Sequence, residues 1–300
     1  MKELTYTVSS AEEAQAYIDR CEENFQREIT GALENLFRED VPKVIALSGP
    51  TCSGKTTTAS FLTEHIRKAG DHAVVMSIDD FFFDQNSINV VGGESPDYDS
   101  VRAIDLAYLG KVTERLLNGK EALIPHYSFT EASRVGYREY YPGEHDIYVY
   151  EGIQAVYPEV TALFGKAYKS IFICVTDDIS YRGVELSKHE LRLLRRLVRD
   201  YRFRGATAEF TLHLWEGVRD NEEKHIFPNA QNCDIYINSF LPYEPFIIAD
   251  DAAELLETVP QNSRYRKEAD ALLEKIAVFE HSCFEDRMVP AHSVFREFIG

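Results

Sequence analysis

VIALSGPTCSGKTT, residues 44–57, decides the fold. Val44 to Leu47 is a short continuous apolar run, the pattern of a strand buried on both faces of a parallel sheet. Behind it, Gly49-Pro50-Thr51-Cys52-Ser53-Gly54-Lys55-Thr56 fits G-x-x-x-x-G-K-[ST], and a helical pattern then runs from Thr57 to Lys68 until Gly70 stops it. Strand, glycine-rich turn and helix in that order make a phosphate cradle. The glycines let the backbone fold tightly enough for consecutive N–H groups to face an anion, and the helix N-terminus adds a favourable dipole. Lys55 can reach the β- and γ-phosphates of a nucleotide, and the Thr56 hydroxyl is placed to ligate Mg²⁺. Residues Gly49, Pro50, Thr51, Cys52, Ser53, Gly54, Lys55, Thr56 and Thr57 are therefore expected to bind the phosphates of ATP.

Outward from this turn, Ala73 to Ile78 reads as a second buried strand, completing a βαβ unit. Ile147 to Tyr150, Ile171 to Val175 and Asp234 to Ile237 are further strand candidates separated by helical patterns. The expectation is an α/β protein with a P-loop fold, a mostly parallel sheet carrying helices on both faces. Upstream, Ser10 and Glu13 have capping-box spacing, and Ala14, Tyr17, Ile18, Cys21 and Phe25 recur at helical intervals, predicting a helix over 11–38 before Pro42. A second amphipathic helix is expected over 263–281, with Ala269, Leu272, Leu273, Ile276 and Phe279 on one side. The chain thus divides into an N-terminal helical extension (1–40), a kinase domain (41–258) with a lid around 188–210, and a C-terminal helical extension (259–300). The apolar faces of both extensions must be buried, on the core or across the interface of a homo-oligomer.

A formal net charge of −18 over 300 residues argues against a protein that wraps nucleic acid, since that binding neutralises phosphates with Lys and Arg. The five cysteines are scattered with no C-x-x-C pair, which predicts neither a zinc site nor a disulfide framework and fits the cytoplasm. No basic start precedes an apolar stretch at the N-terminus, and no apolar run approaches the roughly 20 residues that span a bilayer. A soluble, intracellular protein without a membrane partner is expected.

The P-loop alone does not separate kinases from GTPases, ATPases or helicases. No N-K-x-D or T-K-x-D segment is present to read a guanine, and the length leaves little room for a motor partner, so a small-molecule kinase leads. Ser77-Ile78-Asp79-Asp80 closes the second strand at the edge where the P-loop emerges, so Asp79 could face the γ-phosphate and accept the proton of an incoming hydroxyl. The alternative is an acid that caps a turn. Glu151 ends another strand before Gly152, where it could approach Mg²⁺ or simply be solvated. Arg192, Arg195, Arg196 and Arg199 share one helix face, with Arg202 and Arg204 following. They could close over ATP and spread the charge on the transferring phosphoryl group, or form a solvated face paired with acids such as Glu190 and Asp200.

Taken in order, Gly49 to Thr56, Ser77 to Phe81, Ile124-Pro125-His126-Tyr127-Ser128-Phe129, Tyr150-Glu151-Gly152-Ile153 and Arg195 to Asp200 resemble the uridine kinase and phosphoribulokinase family, over about residues 41–240. Beyond them, Trp215 to Pro228 and the segment Arg296-Glu297-Phe298-Ile299-Gly300 resemble a bacterial branch of that family. The resemblance implies that Asp79 is the catalytic base, that Lys55, Arg199 and Arg204 complete the catalytic set, that Arg196 binds phosphate and that Glu151 assists Mg²⁺. It places Tyr127 in the acceptor pocket. Three positions depart from the pattern: Phe82 stands for a tyrosine, Ala132 for a base-reading histidine, and Glu94 for the aspartate that holds the ribose diol. The acceptor set is thus Asp79, Phe82, Glu94, Tyr127 and Arg134, the last a candidate cation for a phosphorylated acceptor. Nucleoside 5′-phosphorylation of uridine or cytidine is the leading expectation. A phosphoribulokinase-like sugar-phosphate or polyol kinase is second, and a non-catalytic ATP-binding regulatory protein third.

Overall fold

The computed structural model describes residues 1–5, 8–38, 41–85, 98, 100–166, 168–279 and 282–300. Its strands are β1 (Lys2–Glu3), β2 (Val44–Ser48), β3 (His72–Ser77), β4 (Ala122–Ser128), β5 (Ser133–Tyr140), β6 (Asp146–Glu151), β7 (Tyr168–Cys174), β8 (Ile179–Tyr181), β9 (Val184–Leu186) and β10 (Ile235–Asn238). Its α-helices are α1 (Ala11–Leu36), α2 (Lys55–Lys68), α3 (Leu106–Leu117), α4 (Pro158–Thr161), α5 (Lys188–Arg204), α6 (Ala208–Asn221), α7 (Phe227–Ala230), α8 (Glu244–Glu257), α9 (Arg266–Ile276) and α10 (Arg296–Ile299).

The central sheet is parallel throughout, in the order β10-β7-β2-β6-β3. Side chains alternate across a strand, and here both sets are apolar. Ile45, Leu47, Val149, Ile171 and Ile173 enter one buried cluster, whereas Val44, Ala46, Tyr148, Tyr150 and Met76 enter another on the opposite face. Helices α1, α2, α5, α8 and α9 supply the first cluster, and α3 and α4 the second, so water is excluded from both faces. The apolar stripe of α1 (Ala14, Ile18, Cys21, Phe25) and that of α9 (Ala269, Leu272, Ile276) are buried in the same cluster as the sheet. Both extensions therefore cover their apolar faces within the chain. Ser10 accepts from the Glu13 amide at the start of α1, as the capping spacing requires. No helix among the described residues is long and apolar enough to cross a membrane.

Three elements differ from the sequence reading. The β4–β5 hairpin, antiparallel from Ala122↔Tyr140 to Ser128↔Ser133, carries no buried-strand signal because β5 is largely solvent-facing and polar. Strands β8 and β9 have three residues each, too few to show a period. The helix expected over 263–281 is confined to Arg266–Ile276, although Phe279 beyond it is buried. The sequence over about 84–100, rich in Asn, Gly, Ser, Pro and Asp and without a period, reads as a functional loop; residues 86–97 and 99 of it lie outside the described residues.

One glycine fixes the edge where β2, β3 and β6 end. Gly152, at φ 157°, follows β6, and a Cβ there would sit 2.8 Å from the Cβ of Ile78, the residue before Asp79. Its amide donates to Leu47 of β2 at 3.1 Å, so three strand ends meet at this one position. Gly152→Ala should therefore lower the unfolding free energy by about 1–3 kcal/mol, the cost typical of a backbone forced into such a region. Urea denaturation checks it, and an unchanged midpoint would show that the strand ends can part freely.

Candidate active site

The turn between β2 and α2 has the conformation that its glycines permit. Gly54 caps α2 at φ 91°, and Cys52, a non-glycine, is held at φ 56° in the same left-handed region. Gly49 has no room for a side chain: a Cβ would run into the carbonyl of Ile173 and the Ser53 hydroxyl. The first turn of α2 has amides that the helix cannot use. Lys55 curls back, its Nζ donating to the carbonyls of Gly49 at 2.9 Å and Pro50 at 3.0 Å. An ammonium has three donors, so one remains and all can be redirected. The Ser53 hydroxyl is buried without a hydrogen-bond partner. Orphaned donors, a swinging ammonium and a helix N-terminus are what a phosphate chain needs, so these residues fit a nucleotide tail. Thr56 is exposed and Thr57 half-buried, and both border a cavity of about 410 Å³ that His292, Ser293 and Arg296 also line.

The carboxyl ends of β2, β3 and β6 bring the acids to this turn. In register, Leu47 pairs with Glu151 and Ser77 pairs with Glu151, so Glu151 sits between the P-loop strand and the strand that delivers Asp79. Glu151 is half-buried and accepts from the Ser77 hydroxyl at 3.1 Å. Its second oxygen is suited to a metal-bound water. Asp79 is half-buried in a short 3₁₀ turn, Ile78–Phe81. The neighbouring Asp80 has a separate occupation: it accepts from the Tyr127 amide at 2.9 Å and lies 3.3 Å from His126, tying β4 to the sheet edge.

On the acceptor side, Phe82 is buried and packs edge-on against Tyr127 and Phe129, with Tyr98 tilted at 5.3 Å. The hydroxyls of Tyr98 and Tyr127 are 3.4 Å apart, and burial, then Tyr98, pushes the Tyr127 phenol up, keeping it neutral. Phe129, 61% exposed, leaves one side of this cluster open to a ligand. Arg134 is engaged in holding the turn: Nη2 donates to Phe81 at 2.9 Å, Nε to Phe82 at 3.0 Å, and Nη1 pairs with Asp105 at 3.2 Å. Its guanidinium is thus committed to the turn and to Asp105. Glu94 lies outside the described residues.

The arginines of α5 split into two groups. Arg196, Arg199 and Arg204 gather on one carboxylate, that of the buried Asp200, at 3.1, 2.8 and 3.3 Å. Three guanidinium groups on one acid leave a surplus of positive charge. Arg192 and Arg195, by contrast, are 0% and 1% exposed, and neither is solvated. The solvated pairing with Glu190 does not form either: Glu190 caps α5 through Ser187 and binds Lys275, on α9, at 2.6 Å. Sequence reading missed the acids that neutralise the buried arginines, Glu222 and Glu244. Glu222 falls inside the Trp215 to Pro228 segment already singled out, but no spacing rule links it to Arg192 across 30 residues.

The family described as phosphoribulokinase / uridine kinase matches residues 44–242. Among curated relatives, a uridine kinase from Aliivibrio salmonicida is 28% identical over 198 residues, covering 65% of this chain and 85% of that protein. A uridine kinase from Deinococcus deserti is likewise 28% identical over 198 residues, covering 65% of this chain and 87% of that protein. Among solved structures, a possible uridine kinase from Bacillus stearothermophilus superposes with a TM-score of 0.49 at 14% identity, covering 71% of this chain and 99% of that one. Replacing the cradle's ammonium, Lys55→Met, should leave the unfolding midpoint unchanged while reducing phosphoryl transfer at least about 100-fold, because positioning and charge stabilisation carry most of this chemistry. Normal steady-state kinetics in that variant would remove Lys55 from the site.

Proposed function

The chain belongs to the phosphoribulokinase / uridine kinase family and is an ATP-dependent kinase; from that premise we propose that it phosphorylates the 5′-hydroxyl of a nucleoside, uridine or cytidine, with Mg²⁺. The observation that supports this reading is the register that sets Glu151 beside Leu47 and Ser77, at the sheet edge from which the P-loop and the turn bearing Asp79 follow. Ligands of open α/β sheets bind at that edge.

In the proposed reaction the triphosphate lies along the amides from Gly49 to Thr57, and Lys55 leaves the Gly49 and Pro50 carbonyls for the β- and γ-oxygens. Thr56 and Glu151 would hold Mg²⁺, Glu151 through water, and the ion would neutralise charge on the bridging oxygens. Asp79 orients the acceptor hydroxyl and takes its proton as the new O–P bond forms and the bond from phosphorus to the β,γ-bridging oxygen breaks, releasing ADP. Arg196, Arg199 and Arg204, held in excess over Asp200, offset charge on the equatorial oxygens. Phe82, Tyr98, Tyr127 and Phe129 offer edges and faces to a planar base. Neutralisation of Arg134 by Asp105 weighs against a phosphorylated acceptor at that position.

ADP release measured on a panel of nucleosides, sugar phosphates and polyols, against an ATP-only control, tests the acceptor. Turnover that depends on uridine or cytidine is expected; dependence on a sugar phosphate or polyol instead would overturn the nucleoside assignment. Asp79→Asn should preserve ATP binding and lower kcat at least about 100-fold, the usual contribution of a general base. Unchanged turnover would take Asp79 out of the mechanism.

A further inference from the structure

Two successive carbonyls of the P-loop are held from behind by buried arginines. Arg192 donates from Nε and Nη2 to the Thr51 carbonyl at 3.1 and 2.9 Å. Arg195 donates from Nη1 to the Cys52 carbonyl at 3.1 Å. Each guanidinium is paired with a buried glutamate: Arg192 Nη1 with Glu222 at 2.9 Å, and Arg195 Nε and Nη2 with Glu244 at 2.8 and 2.6 Å. Each is also covered by an aromatic ring, Trp215 at 5.5 Å from Arg192 and Phe298 at 4.7 Å from Arg195. The segment bearing Phe298 also sets Val294 directly against Gly54, where a Cβ could not fit. Trp215, Glu222 and Phe298 belong to the two stretches, Trp215 to Pro228 and Arg296 to Gly300, that the phosphate chemistry leaves unexplained.

We infer that Arg192–Glu222–Trp215 and Arg195–Glu244–Phe298 are paired braces, positioning residues that act through the Thr51 and Cys52 carbonyls to aim the P-loop amides at the triphosphate. A peptide unit is planar, and its N–H points opposite its C=O. Holding the Thr51 carbonyl inward therefore turns the Cys52 N–H outward, and holding the Cys52 carbonyl does the same for Ser53. Cys52 sits at φ 56°, a conformation that a non-glycine residue keeps only when its surroundings impose it. A buried ion pair is a poor source of stability, often matched by apolar residues of similar size, so orientation is the property that these pairs supply.

The inference rests on ATP being the donor, and its test reads ATP binding directly, with no acceptor present. The double variants Arg195→Met with Glu244→Gln, and Arg192→Met with Glu222→Gln, remove both charges of a pair together. After Glu244→Gln the side-chain oxygen would still accept from the Leu241 amide, as the Glu244 carboxylate does at 2.8 Å. With the thermal midpoint retained, each should weaken ATP binding about tenfold, the loss expected of one charge-assisted hydrogen bond, while the KM for the acceptor stays within about twofold. ATP affinity within about twofold of the parent in a folded double variant would overturn the braces. Where a double variant does not fold, Arg195→Lys decides: lysine keeps a charge beside Glu244 but has no fork to reach Cys52 as well. A roughly fivefold loss of ATP affinity supports the brace and an unchanged value overturns it. Failure of the parent chain to bind ATP would instead count against the functional reading.

Discussion

A loop that grips phosphate must turn its N–H groups outward and still find partners for the carbonyls that turn inward. That constraint organises the structure around residues 49–57. Water could pair those carbonyls only if it entered the junction of β2 and α2, where Cys52, Ser53 and Gly54 are buried. Arginine donors fill the need, and their charge then needs acids, which come from the π-turn Glu222–Ile226 and from the first residue of α8. The helix carrying the arginines is consequently sunk into the protein along one face. Four buried charges, Arg192, Arg195, Glu222 and Glu244, are thus gathered behind the phosphate cradle, and the contacts they make span 30 to 143 residues of chain.

The acceptor side obeys a different requirement, that of reach. Parallel strands in register end together, so an acid placed at the end of β3 and another at the end of β6 come to the same edge as the P-loop without any special loop. Gly152 lets β6 turn away before it collides with Ile78, which keeps the edge compact. The next acid, Asp80, is used to anchor β4, and Arg134 anchors the turn after it. The aromatic cluster is therefore presented by residues whose backbones are already fixed, with only Phe129 extending well into solvent. In the proposed reading, strand ends would carry the chemistry and a supported hairpin the recognition of the acceptor.

The positions of the central strands along the chain were legible because each is a short apolar run, and the cradle because its residues are contiguous. Asp79 and Glu151 could be found as acids at strand ends, a rule that needs only the strand boundaries. The arginine face of α5 was visible as a spacing, yet spacing is the same for a solvated face, a lid and a buried brace. What separates Arg192 and Arg195 from Arg196, Arg199 and Arg204 is which side of α5 meets the core, and that depends on α6, α8 and the segment around Phe298. The hairpin of β4 and β5 escaped because half of it faces water. Arg134 looked like a free cation because Asp105 and the Phe81 and Phe82 carbonyls, its partners, come from other elements.

Local pattern alone determined the sheet, the phosphate turn and the acids that could serve it, since these are properties of a few neighbouring residues and of the periods 2.0 and 3.6. Tertiary structure alone decided which charges are neutralised and which remain in excess. A guanidinium's role depends on the carboxylates and carbonyls within about 3 Å of it, and those distances are set by packing between elements far apart in the chain.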